Sequence, residues 1–199
     1  MSTRSFPLWL KVSYTAFLAV LLIAYGRHYG PSNFLWFSDV ALVLVLISLW
    51  SGRMLFASMA ALSVLVLDVG WNVDYFVRLV IGRKFLGFAE YMFDPSRPMF
   101  IRGLSLFHLP FPILLVGMLR KSGYDARALR WQTILCWILL PTTWLLTGPT
   151  LNINYVYGIG STQALLPPLV YLGVLMGLFP IILYFPMHLL FLRIFRKAS

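Results

Sequence analysis

Apolar residues run in long blocks along this chain, and the polar residues punctuate them at regular intervals. A membrane-spanning helix needs about 20 apolar residues at a rise of about 1.5 Å each. Six blocks meet or approach that length: 8–25, 34–50, 54–71, 100–119, 129–146 and 168–192. Only Ser51, Gly52 and Arg53 separate the second block from the third, which predicts a tight helical hairpin. Gly30, Pro31, Ser32 and Asn33 supply turn and N-cap chemistry ahead of the second block. Pro110 and Pro112 predict a kink in the fourth helix, and Pro180 and Pro186 one in the sixth.

Two segments break the pattern. Residues 73–99 carry Arg78, Arg83, Lys84, Glu90, Asp94 and Arg97 among aromatic and aliphatic residues. That is too much charge for a span and predicts an interfacial amphipathic helix, ended by a turn at Asp94 and Pro95. Residues 147–167 hold no charge but include Asn152, Asn154, Tyr155, Tyr157 and Gly158. This outer loop is expected to fold back over the mouth of the bundle. The predicted fold class is therefore all-α: a polytopic membrane protein of about six transmembrane helices in one domain, 1–199, with one interfacial segment.

Composition supports this reading. Sixty per cent of the 199 residues are apolar and 11% are charged, against about 25% charged in soluble domains. Mean hydropathy is +0.84. The net charge of +10 does not point to nucleic acid, because the basic residues sit at helix ends and in short loops. There they set topology and meet anionic headgroups. With the N-terminus inside, ten Lys and Arg lie on the inner side (Arg4, Lys11, Arg53, Arg120, Lys121, Arg127, Arg130, Arg193, Arg196 and Lys197). Six lie on the outer side (Arg27, Arg78, Arg83, Lys84, Arg97 and Arg102). The bias predicts both termini in the cytoplasm. The first block has no clear small-x-small cleavage site before Arg27 and reads as a retained span. The single cysteine, Cys136, excludes an intrachain disulfide and reads as a small core residue. No internal repeat is apparent.

The chemistry lies in the few polar residues inside the blocks. An ionisable residue in a span is a functional-site hypothesis by default. Ser38 and Asp39 fall near the outer end of the second helix, Asp68 and Asn72 near that of the third, and Arg102, Ser105 and His108 descend the fourth. Asp68 and Asn72, four residues apart, share a face. Ser38 and His108 differ in expected depth by roughly 6 Å, within reach of helix tilt. The set predicts a single cavity on the non-cytoplasmic side. In it Ser38 is the candidate nucleophile and His108 its base, with Asp39 or Asp68 orienting the imidazole. Arg102 or Asn152 would bind an anionic headgroup or an oxyanion. Ser105, Asp68, Asn72, Asn154 and Tyr155 are further candidate substrate contacts. His28 and His188 lie apart from this set. No histidine pair of helical spacing is present, so neither a metal nor another cofactor is expected. The Gly158 to Ser161 stretch follows no strand and is not a nucleotide loop.

Five stretches carry a resemblance: Asn33 to Asp39 (NFLWFSD), Tyr91 to Asp94 (YMFD), Ser105 to His108 (SLFH), Gly123 to Asp125 (GYD) and Asn152 to Gly158 (NINYVYG). Together they resemble a family of bacterial integral membrane proteins without an assigned activity, which implies residence in the bacterial inner membrane. In layout the chain also resembles, more distantly, the superfamily of six-span lipid enzymes that includes the androgen-induced intramembrane threonine hydrolases and a transmembrane phospholipid acyltransferase. That likeness implies a nucleophile in the region of Ser38 and a histidine at His108. Ser38 is neither the Thr nor the Cys of that pattern, and Asp39 has no place in it. The expected function is a hydrolase or acyltransferase acting on a lipid or fatty-acyl ester, with membrane lipids as partners. A small-ligand, proton or ion binding or transport protein is the alternative, and a non-catalytic assembly protein the second alternative.

Overall fold

A computed structural model describes residues 6–159 and 162–195. Arg4, Gly160, Ser161, Arg196 and Lys197, used above, lie outside the described residues. Among those described the chain is all-helical, without strands. We label the helices α1 (Leu8–His28), α2 (Phe37–Ser51), α3 (Met54–Ile81), α4 (Met99–Ser122), α5 (Ala128–Leu146) and α6 (Pro168–Ile194). Four of them, α1, α3, α4 and α6, are long and apolar enough to cross a membrane. α2 is apolar but shorter.

α3 is the central helix, in contact with α2, α4, α5 and α6. Ala57, Ser58, Ala60, Ala61 and Ser63 are all but fully buried along its first half. Small side chains let neighbouring backbones approach closely, which matters where lipid supplies no hydrophobic drive for helix association. α1 packs on α2 and α4, and α6 packs on α5 and α3. Cys136 is buried in the same core. Between α2 and α3, Gly52 takes a left-handed φ of 70° and its N–H bonds the Ser48 carbonyl at 2.9 Å. The tight hairpin is as predicted, but Ser51 is still helical and only Gly52 and Arg53 connect the two helices.

The third helix is longer than expected. It runs on to Ile81, so residues 73–81 belong to α3 and not to a separate interfacial helix. Nothing between Trp71 and Ile81 breaks a helix. The stop is Gly82, left-handed at φ 75°, and the Arg78 guanidinium bonds its carbonyl at 2.6 Å. Residues 82–98 are irregular apart from one 3-10 turn at Glu90–Phe93. Asp74, 2% exposed, holds this stretch: its carboxylate accepts the Leu86, Gly87 and Ala89 N–H groups at 2.7, 3.1 and 2.7 Å.

The predicted kinks have visible consequences. α4 is α-helical at Met99–Leu104, tightens to a 3-10 turn at Ser105–His108, and resumes at Pro110–Ser122. Pro112 has no N–H to give the His108 carbonyl four residues back. The Asn72 amide donates to that carbonyl instead, at 2.7 Å. In α6, Pro180 likewise frees the Met176 carbonyl, which accepts the Trp137 indole N–H at 2.8 Å. A π-helical segment, Phe179–Tyr184, follows. Neighbouring side chains that satisfy freed carbonyls are what makes proline tolerable in a membrane helix.

Candidate functional site

The polar residues converge. A cavity of about 650 Å³ opens at the end of the bundle where α1, α3 and α5 finish and α2, α4 and α6 begin. Ser38, Asp39, Asp68, Ser105, His108, Asn154 and Tyr155 all line it. Arg102, Asn72 and Asn152 do not.

His108 is the best-organised of these residues. Its Nδ1 lies 2.9 Å from Asp68 Oδ1. Its ring stacks on the Trp71 indole, with centroids 4.7 Å apart, and on Phe107 at 4.0 Å. A carboxylate on Nδ1 fixes the tautomer that donates there and leaves Nε2 as the acceptor. Asn72 braces the pair from behind, donating to both the Asp68 and His108 carbonyls at 2.7 Å. The arrangement is that of an oriented general base.

Ser38 is half-buried on the cavity wall, and no hydrogen bond joins it to His108. Asp39 does not orient the imidazole. Its Oδ2 accepts from the Asn33 amide at 3.1 Å, and its Oδ1 is buried with no partner. Asp68 Oδ2 is equally unpartnered. Ser105 shares a 2.6 Å hydrogen bond with the Tyr25 hydroxyl. Arg102 is turned to the protein, donating to the Arg97 and Met92 carbonyls at 3.1 and 2.8 Å. It is therefore a brace for the loop before α4 rather than a headgroup or oxyanion ligand.

Part of residues 147–159 forms one wall of the cavity. Asn152 organises its own turn, accepting from Tyr157 N–H at 3.0 Å and donating to the Gly158 carbonyl at 2.7 Å. Asn154 reaches across to α2, where it accepts the Phe37 N–H at 3.0 Å and donates to the Leu35 carbonyl at 2.7 Å. Phe37 N–H belongs to the first turn of α2 and has no partner within its own helix. Asn152, Asn154 and Tyr155 take φ of 40°, 53° and 58°. This region is tolerated by Asn and costly for Tyr. Tyr155 is held there by edge contact with Trp36 and by the Tyr171 hydroxyl on its carbonyl at 3.1 Å.

Residues outside the predicted set complete the site. Tyr25, Asn33 and Tyr91 line the cavity beside the acidic groups. Burial raises the Tyr91 and Tyr155 hydroxyls above their ordinary range, so both remain neutral donors. His188 bonds the Tyr124 hydroxyl at the opposite end of the bundle, and His28 is exposed. Among the described residues no group of three or more His, Cys, Asp or Glu is placed to hold a metal ion.

No protein-family model matches this chain, and neither a curated protein nor a solved structure is significantly similar to it.

Proposed function

We propose that the chain is an intramembrane hydrolase or acyltransferase acting on a lipid or fatty-acyl ester. The observation that carries this reading is the Asp68–His108 pair at 2.9 Å on a cavity that also presents the Ser38 hydroxyl. His108 Nε2 takes the proton of an attacking hydroxyl as its oxygen bonds the ester carbonyl carbon. The carbon–oxygen bond to the leaving alcohol then breaks, and the imidazolium returns the proton to that alkoxide. Asp68 stabilises the imidazolium in between. With Ser38 as the attacking group the product is an acyl-serine, which a second pass with water or an acceptor alcohol resolves. Catalytic hydrogen bonds are often long before substrate arrives, so the missing Ser38–His108 bond is compatible with this role.

The setting we propose is a bacterial inner membrane, with six spans, cytoplasmic termini and the cavity open to the other side. The Lys and Arg bias supports the orientation. Six spans require α2 and α5, 15 and 19 residues long, to cross alongside the four long apolar helices.

The test is lipid-ester turnover in membranes carrying wild type, His108→Ala, Asp68→Asn and Ser38→Ala. Loss of a positioned base lowers turnover by about 10²–10⁴-fold. Unchanged turnover in His108→Ala removes the mechanism. Labelling by a fluorophosphonate that vanishes in Ser38→Ala identifies the acyl-serine route. Ser38→Ala that keeps full turnover makes water or the acceptor the direct nucleophile. A second reading, a small-ligand or proton carrier, draws on the unpartnered oxygens of Asp39 and Asp68; ligand-dependent flux in proteoliposomes without ester turnover would establish it.

A further inference from the structure

We propose that the cavity selects amphiphiles bearing a primary ammonium group, and that Asp39 is the carboxylate that receives it. This deepens the reading of the cavity as a lipid site and rests on it.

Asp39 is 5% exposed and lines the cavity. Its one protein partner is the neutral Asn33 amide, and Oδ1 is buried without a donor. Leaving a buried acceptor unmatched costs that group its desolvation, and more where it is charged. The charged groups nearer the surface are already matched. Arg97 pairs with Asp94 at 3.4 Å and bonds the Tyr29 hydroxyl at 3.1 Å, while Glu90 pairs with Arg78 at 3.4 Å. Asp68 gives Oδ1 to His108, and its Oδ2 is without a donor. Among the described residues no cation is paired with Asp39, so the missing partner is one the ligand can bring.

The surrounding wall suits a cation. Tyr25 and Trp36 line the same cavity, whereas Trp71, also on the wall, already stacks on Tyr75 and His108, and Tyr91 faces Arg97. Aromatic faces attract ammonium and guanidinium groups. The fold already uses two such faces this way: the Arg97 guanidinium sits 5.7 Å from the Tyr29 ring and 5.6 Å from that of Tyr91. An unmet carboxylate oxygen calls for an N–H donor, which a primary ammonium has and a trimethylammonium lacks. The ligand therefore carries an amine at its polar end and an apolar chain for the helices.

The whole-molecule charge sharpens the test. At a net charge of +10, the general field favours anionic amphiphiles, so a preference for a cation must arise locally. The experiment measures affinity of the full-length protein, in non-ionic micelles, for dodecylamine, dodecyltrimethylammonium, dodecanol and dodecyl phosphate. Dodecylamine is expected to bind at least about tenfold more tightly than the other three, the yield of one charge-assisted hydrogen bond. The preference is expected to disappear in Asp39→Asn. Equal affinity across the series, tighter phosphate binding, or an amine preference that survives in Asp39→Asn overturns the proposal. If Asp39→Asn does not fold, wild-type affinity for dodecylamine against N-acetyldodecylamine decides the matter: equal binding overturns it. The readout is binding without turnover. Its failure leaves the ester chemistry of His108 standing, and inactive ester chemistry leaves the amine site standing.

Discussion

Asn72→Leu tests whether the kink of α4 and the brace behind His108 are one device. The Asn72 amide makes two hydrogen bonds. The one to the Asp68 carbonyl is dispensable, because that carbonyl also faces the N–H four residues on in its own helix. The one to the His108 carbonyl is not, because position 112 is proline. Stranding a buried acceptor costs about 1–3 kcal/mol, while hydrogen bonds between membrane helices average about 0.6 and reach about 1.7 kcal/mol. An expected loss of about 1–1.7 kcal/mol follows from where those two ranges overlap. Pro112→Ala supplies the missing N–H, so Asn72→Leu should cost about 0.5 kcal/mol or less in that background, a coupling of about 1 kcal/mol. Reversible unfolding of the four proteins by SDS titration in mixed micelles measures the cycle. Equal costs in both backgrounds would refute the assignment of Asn72 to the proline-freed carbonyl.

Trp137→Phe removes the donor to the Met176 carbonyl freed by Pro180, and about 1 kcal/mol of stability should go with it in the same titration. Asn154→Leu strips two hydrogen bonds from the start of α2. Hydrogen exchange should then accelerate at Phe37 and across residues 150–157 while α3 keeps its protection. Asp74→Asn turns an amide N–H₂ toward backbone donors that now meet a carboxylate. The expected cost is about 1–3 kcal/mol, with loss of protection confined to residues 82–93; a uniform loss throughout the bundle would count against the local role given to Asp74.

The convergence of Asp68, His108, Ser38 and Asp39 was legible because polar residues in hydrocarbon are rare and their depth follows from a fixed rise per residue. The hairpin at Gly52 was legible because so short a connection leaves no other geometry. The end of α3 was not. Arg78 reads as a charge that stops a span, whereas a guanidinium on a long stem reaches past the helix end to the Gly82 carbonyl. Arg102 was misplaced for a related reason: side-chain chemistry suggested an anion, and the guanidinium found backbone carbonyls. Asp74 was overlooked since its partners are backbone N–H groups, which carry no residue-type signal. Tyr25 was overlooked since a tyrosine spaced with Tyr14, Leu18 and Leu21 along α1 reads as core, and only the fold brings its hydroxyl to Ser105. Membership of the cavity could thus be read only in part from spacing, since Arg102, Asn72 and Asn152 lie outside it, and the pairing of its members could not.

The clamp by Asn154 bears on how the protein is made. The first turn of α2 is completed by a carboxamide that lies 117 residues further along the chain. During synthesis, α1 to α4 must find one another while that turn waits uncapped and one wall of the pocket is missing. A fragment ending before α5 therefore lacks both that cap and the part of residues 147–159 that walls the cavity.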